Sequence, residues 1–246
     1  MKHQFSSMNI RLKRYKKDFE YSYTFGVFPT LELLAHRPQD CLGVVAHPKG
    51  EQNNGVAKIQ VACQNNGITF EFQENALNRL GARENDYAIG VFQKIEPGLN
   101  PATDHVVLVN PGSLGNLGTI LRTMLGFGFQ DLAIIEPAAD IFNPETVRAS
   151  MGALFQLNFA TFADFAAYQE KYPRNWYPLM TDGEVPLPQA SFTAPFGVIF
   201  GPESAGLPEA FHKLGSSISI PQSKAIDSLN LAVSVGVTLY QISTTR

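Results

Sequence analysis

Cysteine is scarce: only Cys41 and Cys63 occur in 246 residues. Two thiols cannot frame a disulfide-stabilised domain, and no CxxC pair or His/Cys cluster offers ligands to a metal, so none is expected. Long apolar runs are missing as well. No stretch approaches the ~18 uninterrupted apolar residues of a membrane span, and the basic N-terminal segment lacks the apolar stretch of a secretory signal. These absences lead to the expectation of a cytoplasmic protein without a membrane partner. An excess of positive charge is lacking too, with 19 basic residues against 22 acidic. That excludes a uniformly basic nucleic-acid coat and leaves room for a local basic face. Residues 1–17 supply one: Lys2, Arg11, Lys13, Arg14, Lys16 and Lys17, with no acid among them.

What is present suits a folded enzyme-sized chain. Apolar residues make up 44% and charged residues 17%, enough for a buried core and too little charge for wholesale disorder. The length matches two domains of roughly 100–200 residues each. Pro97, Gly98 and Pro101 crowd a linker at 96–104, because that density of breakers stops helices and strands alike. The linker divides a small α/β module, 1–95, from a second domain, 105–246.

In the first module apolar residues recur at helical spacing around Leu31, Leu33 and Leu34, and strand-like runs follow at 42–46, 68–72 and 87–92. Beyond the linker, strand patterns at 105–110, 131–136, 176–180, 196–200 and 217–220 alternate with helical ones at 116–127, 144–154, 161–172 and 228–243. Continuous apolar strands alternating with helices predict a parallel sheet covered on both faces. Ligands of such sheets bind beyond the carboxyl ends of the strands, so the loops there are the candidate site.

Three of those loops carry chemistry. The first, 110–123, holds Gly112, Gly115 and Gly118 and then Arg122. Its GxxGxxG spacing is not the GxGxxG of dinucleotide sites, and no GK[ST] marks a P-loop, so a dinucleotide-dependent oxidoreductase is disfavoured. Arg122 reads either as a solvated helix arginine or as a phosphate or ribose anchor with a planar fork of donors. The second loop is Phe200-Gly-Pro-Glu-Ser-Ala-Gly-Leu-Pro208, a tight turn holding Glu203. The third runs from Ile220 to Ser234, with Asp227 or Ser228 as candidate helix cap. Asn230 falls in the expected first turn, where its poor helix propensity suggests a task.

Together these segments resemble the TrmH (SpoU) family of SPOUT-class RNA 2′-O-ribose methyltransferases. The resemblance rests on Asn116, Gly118, Arg122 and Thr123; on Gly201, Glu203, Gly206 and Leu207; and on Ile220, Pro221, Ser228, Leu229, Asn230 and Ser234. A fourth stretch, Arg148-Ala-Ser-Met-Gly-Ala153, is similar to the family's R-A-S-x-G-A segment. The resemblance implies an α/β fold: a parallel-sheet SPOUT domain with a deep trefoil knot, preceded by a ribosomal-protein-like RNA-binding domain. It implies S-adenosylmethionine as methyl-donor substrate, against Phe200, Gly201, Ile220, Ser228 and Leu229. It implies methyl transfer to a ribose 2′-hydroxyl of ribosomal or transfer RNA, with Arg122, Asn116, Glu203, Ser228 and Asn230 as catalytic residues. A homodimer formed through the knotted domain is implied too. The family often assigns the proton-accepting role to the arginine; a guanidinium that stays protonated better suits a clamp on phosphate and developing alkoxide charge.

The basic run Arg11, Lys13, Arg14, Lys16 and Lys17 interleaves Tyr15 with cations. It reads equally as an RNA contact or as the solvated end of an amphipathic helix. The alternative function is a ribosome-associated RNA-binding protein that kept the fold without catalysis.

Overall fold

The computed structural model describes residues 12–245. Arg11 lies outside the described residues. The chain packs as two compact units, one holding residues 12–95 with 140–156 and the other 96–139 with 157–245. Residues 140–156, expected in the second domain, therefore pack with the first unit.

In the first unit, β1 (Tyr21–Phe25) leads to α1 (Val27–His36), β2 (Cys41–Ala46), α2 (Asn54–Asn66), β3 (Phe70–Phe72), α3 (Glu74–Leu80) and β4 (Ala88–Gln93). The sheet order is β1-β4-β2-β3, antiparallel except for the β2–β3 pair. Tyr23, Val45, Leu77, Ile89 and Val91 form its core at 1% exposure or less. Burying a side chain of this kind stabilises by about 1.5–3 kcal/mol. Both thiols are inside this unit, and burial pushes each up to about 12, which makes them unreactive.

In the second unit, β5 (His105–Val109), α4 (Leu114–Gly126) and β6 (Asp131–Ile135) come first. The chain then returns to the first unit for α5 (Pro144–Ala149). It re-enters the second with β7 (Asn158–Phe162), α6 (Phe165–Lys171), β8 (Asn175–Pro178), the two-residue β9 (Val185–Pro186), β10 (Phe196–Phe200), the two-residue β11 (Ile218–Ser219) and α7 (Leu231–Thr245). Five strands make one parallel sheet in the order β7-β6-β5-β10-β8. The continuous apolar runs His105–Val109 and Phe196–Phe200 are buried along their whole length, as two-sided covering of a parallel sheet requires.

Three expectations are corrected. The helix predicted over 144–154 stops at Ala149, because Met151 and Gly152 take positive φ of 51° and 82°, a left-handed break that no helix continues through. The helix predicted over 161–172 begins only at Phe165, where Asp164 caps it by accepting from the Ala167 N–H at 2.8 Å. Ahead of it Asn158–Phe162 is an edge strand. The last helix starts at Leu231 rather than 228, and Asn230 is its cap: Oδ1 accepts from the Ala232 N–H at 2.9 Å.

Residues 96–104 hold no helix or strand and are docked on the second unit. Leu99 is buried in its core, and the Asn100 N–H donates to Asp131 at 2.8 Å.

Candidate functional site

The strand order places the site. From β5 the chain runs outward through β6 and β7 on one side, while β10 and β8 flank β5 on the other. A crevice at the carboxyl ends beside such a reversal is where open α/β sheets bind ligands. Asn110 leaves β5 with φ 50°, a left-handed turn that asparagine tolerates better than most residues. Four residues on, α4 begins, capped by Ser113 Oγ accepting from the Asn116 N–H at 3.2 Å.

The loop after β10 folds back on itself. A Cβ on Gly201 would stand 2.4 Å from backbone atoms of Gly206 and Leu207, so only glycine permits this closure. The closure carries Glu203 to the α4 loop, where its Oε2 accepts from the Gly112 N–H at 3.3 Å and its Oε1 from Asn116 Nδ2 at 3.0 Å. Asn116 Oδ1 in turn accepts from Asn230 Nδ2 at 3.2 Å. Three loops far apart in sequence are thereby joined by side-chain hydrogen bonds. Partial burial pushes the Glu203 carboxyl up, but the bonds from Asn116, its own N–H, Gly112 and Ser113 outweigh that and hold it below the ordinary carboxylate value. Glu203 is ionised at neutral pH.

Beside this junction lies a cavity of about 280 Å³. Of the expected residues, Phe200, Gly201, Glu203, Ile220, Ser228 and Leu229 all line it. At its edge Asn116 bonds Glu203 directly and Asn230 bonds Asn116. Sequence reasoning missed the wall formed by Leu179, Met180 and Thr181, which follows directly from β8. Its signal was available, since Leu179 and Met180 end the strand predicted over 176–180 and Thr181 follows it. A second close approach closes the same wall: a Cβ on Gly183 would meet the backbone of Ile218 at 2.4 Å.

Arg122 is not brought to this cavity. It sits on α4 six residues after Asn116, which is about 9 Å along the axis and roughly 240° around it. There it is exposed, with no hydrogen-bond or ion-pair partner among the described residues. Lys13, Arg14, Lys16 and Lys17 belong to the first unit and are exposed. Residues 12–16 are assigned no helix, so they do not form the end of an amphipathic helix. Among the described residues no helix is long and apolar enough to cross a membrane, and no cluster of three potential metal ligands occurs.

Residues 104–240 match the model of the SpoU rRNA Methylase family. An "uncharacterized tRNA/rRNA methyltransferase" of Synechocystis is 33% identical over 135 residues, covering 52% of this chain and 48% of that protein. The 23S rRNA (uridine(2479)-2′-O)-methyltransferase of Streptomyces viridochromogenes is 31% identical over 145 residues, 55% of this chain and 50% of its own length. The chain thus spans about half the length of these curated relatives. In three dimensions it shares the fold of the SpoU methyltransferase AviRb of S. viridochromogenes, solved with AdoMet. The TM-score is 0.79 at 22% identity, over 92% of this chain and 91% of that one. With the family model matching more than half of its residues, this chain belongs to the SpoU rRNA Methylase family.

Proposed function

We propose that the chain is an S-adenosylmethionine-dependent RNA methyltransferase acting on a ribose 2′-hydroxyl of ribosomal or transfer RNA. The observation that carries this reading is the junction of Asn116, Glu203 and Asn230 at the edge of a cavity lined by Phe200, Gly201, Ile220, Ser228 and Leu229. The family relationship, a relative named as a ribose 2′-O-methyltransferase and a structural neighbour solved with AdoMet agree with it.

The residues present fit the donor. Leu179, Ile218, Ile220 and Leu229 give the cavity apolar walls suited to an adenine, and Ser228, Thr181 and Gln222 add hydrogen-bonding groups. The Gly201 turn keeps backbone at the wall where a side chain would intrude. When bound, the donor supplies a methyl group on a sulfonium. Ionised Glu203 sets a negative charge beside that cationic ligand, and Asn116 and Asn230 fix its position.

The cation for the RNA comes from a second copy of the chain in this proposal. Val233, Val237 and Tyr240 form an exposed apolar stripe on α7, which packs against α4. A homodimer through this domain covers the stripe and lets Arg122 of one copy serve the cavity of the other. There its fork of donors clamps phosphate and stabilises developing alkoxide charge, with the proton retained on the guanidinium. The trefoil knot belongs to the same proposal, on the strength of the family relationship. Residues 1–95 serve as the RNA substrate-binding domain, with Lys13, Arg14, Lys16 and Lys17 on its surface.

Titration calorimetry with S-adenosylmethionine, followed by nucleoside mass spectrometry of RNA incubated with protein and donor, tests the proposal. Donor binding and a new 2′-O-methylnucleoside are expected. Absence of donor binding would favour the non-catalytic RNA-binding alternative.

A further inference from the structure

The first unit holds a cavity of its own, about 290 Å³, that the methyl-transfer reading does not use. Its lining includes Tyr15, Phe25, Leu80, Arg83, Asn143 and Arg148. Arg148 is the arginine of the R-A-S-M-G-A stretch. It donates through both terminal nitrogens to Asp86, at 3.0 and 2.7 Å, and its guanidinium stands 5.4 Å from the Phe25 ring centre. Asp86 is buried and also accepts from the Arg83 N–H at 2.7 Å. The pair neutralises the charge of Arg148 and leaves it a flat, immobile plane in the wall.

Other groups in the lining are free to bind. The Arg83 side chain is exposed and has no partner among the described residues. Asn143 spends its Oδ1 on capping α5 through the Glu145 N–H, and its Nδ2 has no partner among the described residues. Glu145 also lines the cavity. A carboxylate there opposes a phosphate inside and suits a base edge bearing hydrogen-bond donors. Tyr15 is fixed by its hydroxyl, which donates to Asp140 at 2.5 Å, and its neighbours Lys13, Arg14, Lys16 and Lys17 are exposed cations. Aromatic and guanidinium planes beside free donors, flanked by a cationic segment, are the chemistry that receives splayed bases of single-stranded RNA.

We infer that this cavity takes one unpaired nucleotide of the RNA substrate, its base against Tyr15 and Arg148 and its phosphate toward Arg83 and the 13–17 segment. The inference rests on the reading that the chain acts on RNA. Its test uses the full chain with an unstructured oligoribonucleotide carrying 4-thiouridine, photocrosslinked and mapped by mass spectrometry. Affinities of Arg83→Ala, Tyr15→Phe and Tyr15→Leu are measured alongside. Crosslinks at or beside Tyr15, Phe25 or Arg83 are expected. Arg83→Ala and Tyr15→Leu should each weaken RNA binding about tenfold, while Tyr15→Phe, which keeps the ring, stays near wild type. Donor binding should be unchanged in all three. Wild-type RNA affinity in Arg83→Ala and Tyr15→Leu, with crosslinks only elsewhere, would overturn the inference while leaving the methyltransferase reading intact. Loss of donor binding by the unmodified protein would instead strike that reading itself.

Discussion

Asn116 donates to the Glu203 carboxylate at 3.0 Å, tying the start of α4 to the loop beyond β10 across 87 residues of sequence. The bond makes the position of Glu203 depend on Asn116 and, through Asn116, on Asn230. Glu203→Gln keeps the size and removes the charge, so S-adenosylmethionine affinity should fall about tenfold, consistent with losing one charge-assisted set of hydrogen bonds. The sign of the pH effect follows from the lowered carboxyl pKa. Its contribution is complete above the ordinary carboxylate value and fades only as pH falls through the depressed one. Donor binding measured from pH 8 downward should therefore stay flat through the range where ordinary carboxylates protonate. A decline centred near pH 6 would show that another group controls the site.

Gly201 and Gly115 make a controlled pair. At Gly201 a methyl group collides with backbone 2.4 Å away, whereas at Gly115, inside α4, nothing lies within 4 Å. Gly201→Ala should cost about 1–3 kcal/mol through forced backbone movement and abolish most donor binding, because the moved loop carries Glu203. Gly115→Ala should bind donor normally and gain up to about 1 kcal/mol from helix propensity. Thermal unfolding and calorimetry on the two variants separate these outcomes, and equal behaviour would remove the close approach as the reason for glycine at 201.

The contrast between these loops and the rest of the chain explains what was legible. Strands such as His105–Val109 and Phe196–Phe200 could be read because a two-sided parallel sheet forces an unbroken apolar run. Asn158–Phe162 was hidden: at the sheet edge its burial is uneven, and Asp164 just after it advertises a helix. The residues lining the cavity beside Glu203 were legible as motifs, but the direction of Arg122 was not, since a helix turns about 100° per residue and a motif does not show which face meets the cavity. Arg148 was noticed for its stretch and its partner was invisible. Asp86 lies 62 residues earlier, beyond any local periodicity.

That partnership is itself open to measurement. Asp86 is 5% exposed, and the Arg148 fork is its only side-chain partner in an ion pair among the described residues. Arg148→Ala leaves the carboxylate buried without its cation, a change that destabilises by about 3–5 kcal/mol. Arg148→Lys supplies charge without the two parallel bonds and should recover only part of that loss. Calorimetric unfolding of the three proteins gives the order wild type, Lys, Ala. A stable Ala variant would mean that Asp86 is satisfied by the backbone alone.

At the far, amino-terminal end of the sheet, His105 provides the last test. Its Nε2 stands 2.8 Å from the Asn100 carbonyl, which can only accept, so the ring proton resides on Nε2 and Nδ1 accepts from the Tyr168 hydroxyl at 2.8 Å. Burial, reinforced by the nearby Arg174 charge, lowers its pKa below the ordinary histidine value. As pH falls below about 6.5, the unfolded chain gains a proton at this position that the folded chain refuses, and stability drops. One such group contributes a slope of at most about 1.4 kcal/mol per pH unit. His105→Leu removes that slope and strands the buried Tyr168 hydroxyl. The variant should be about 1–3 kcal/mol less stable at pH 7, yet lose less on going to pH 5 than wild type does. Unfolding curves at the two pH values decide the matter, since a variant as pH-sensitive as wild type would place the acid lability on other residues.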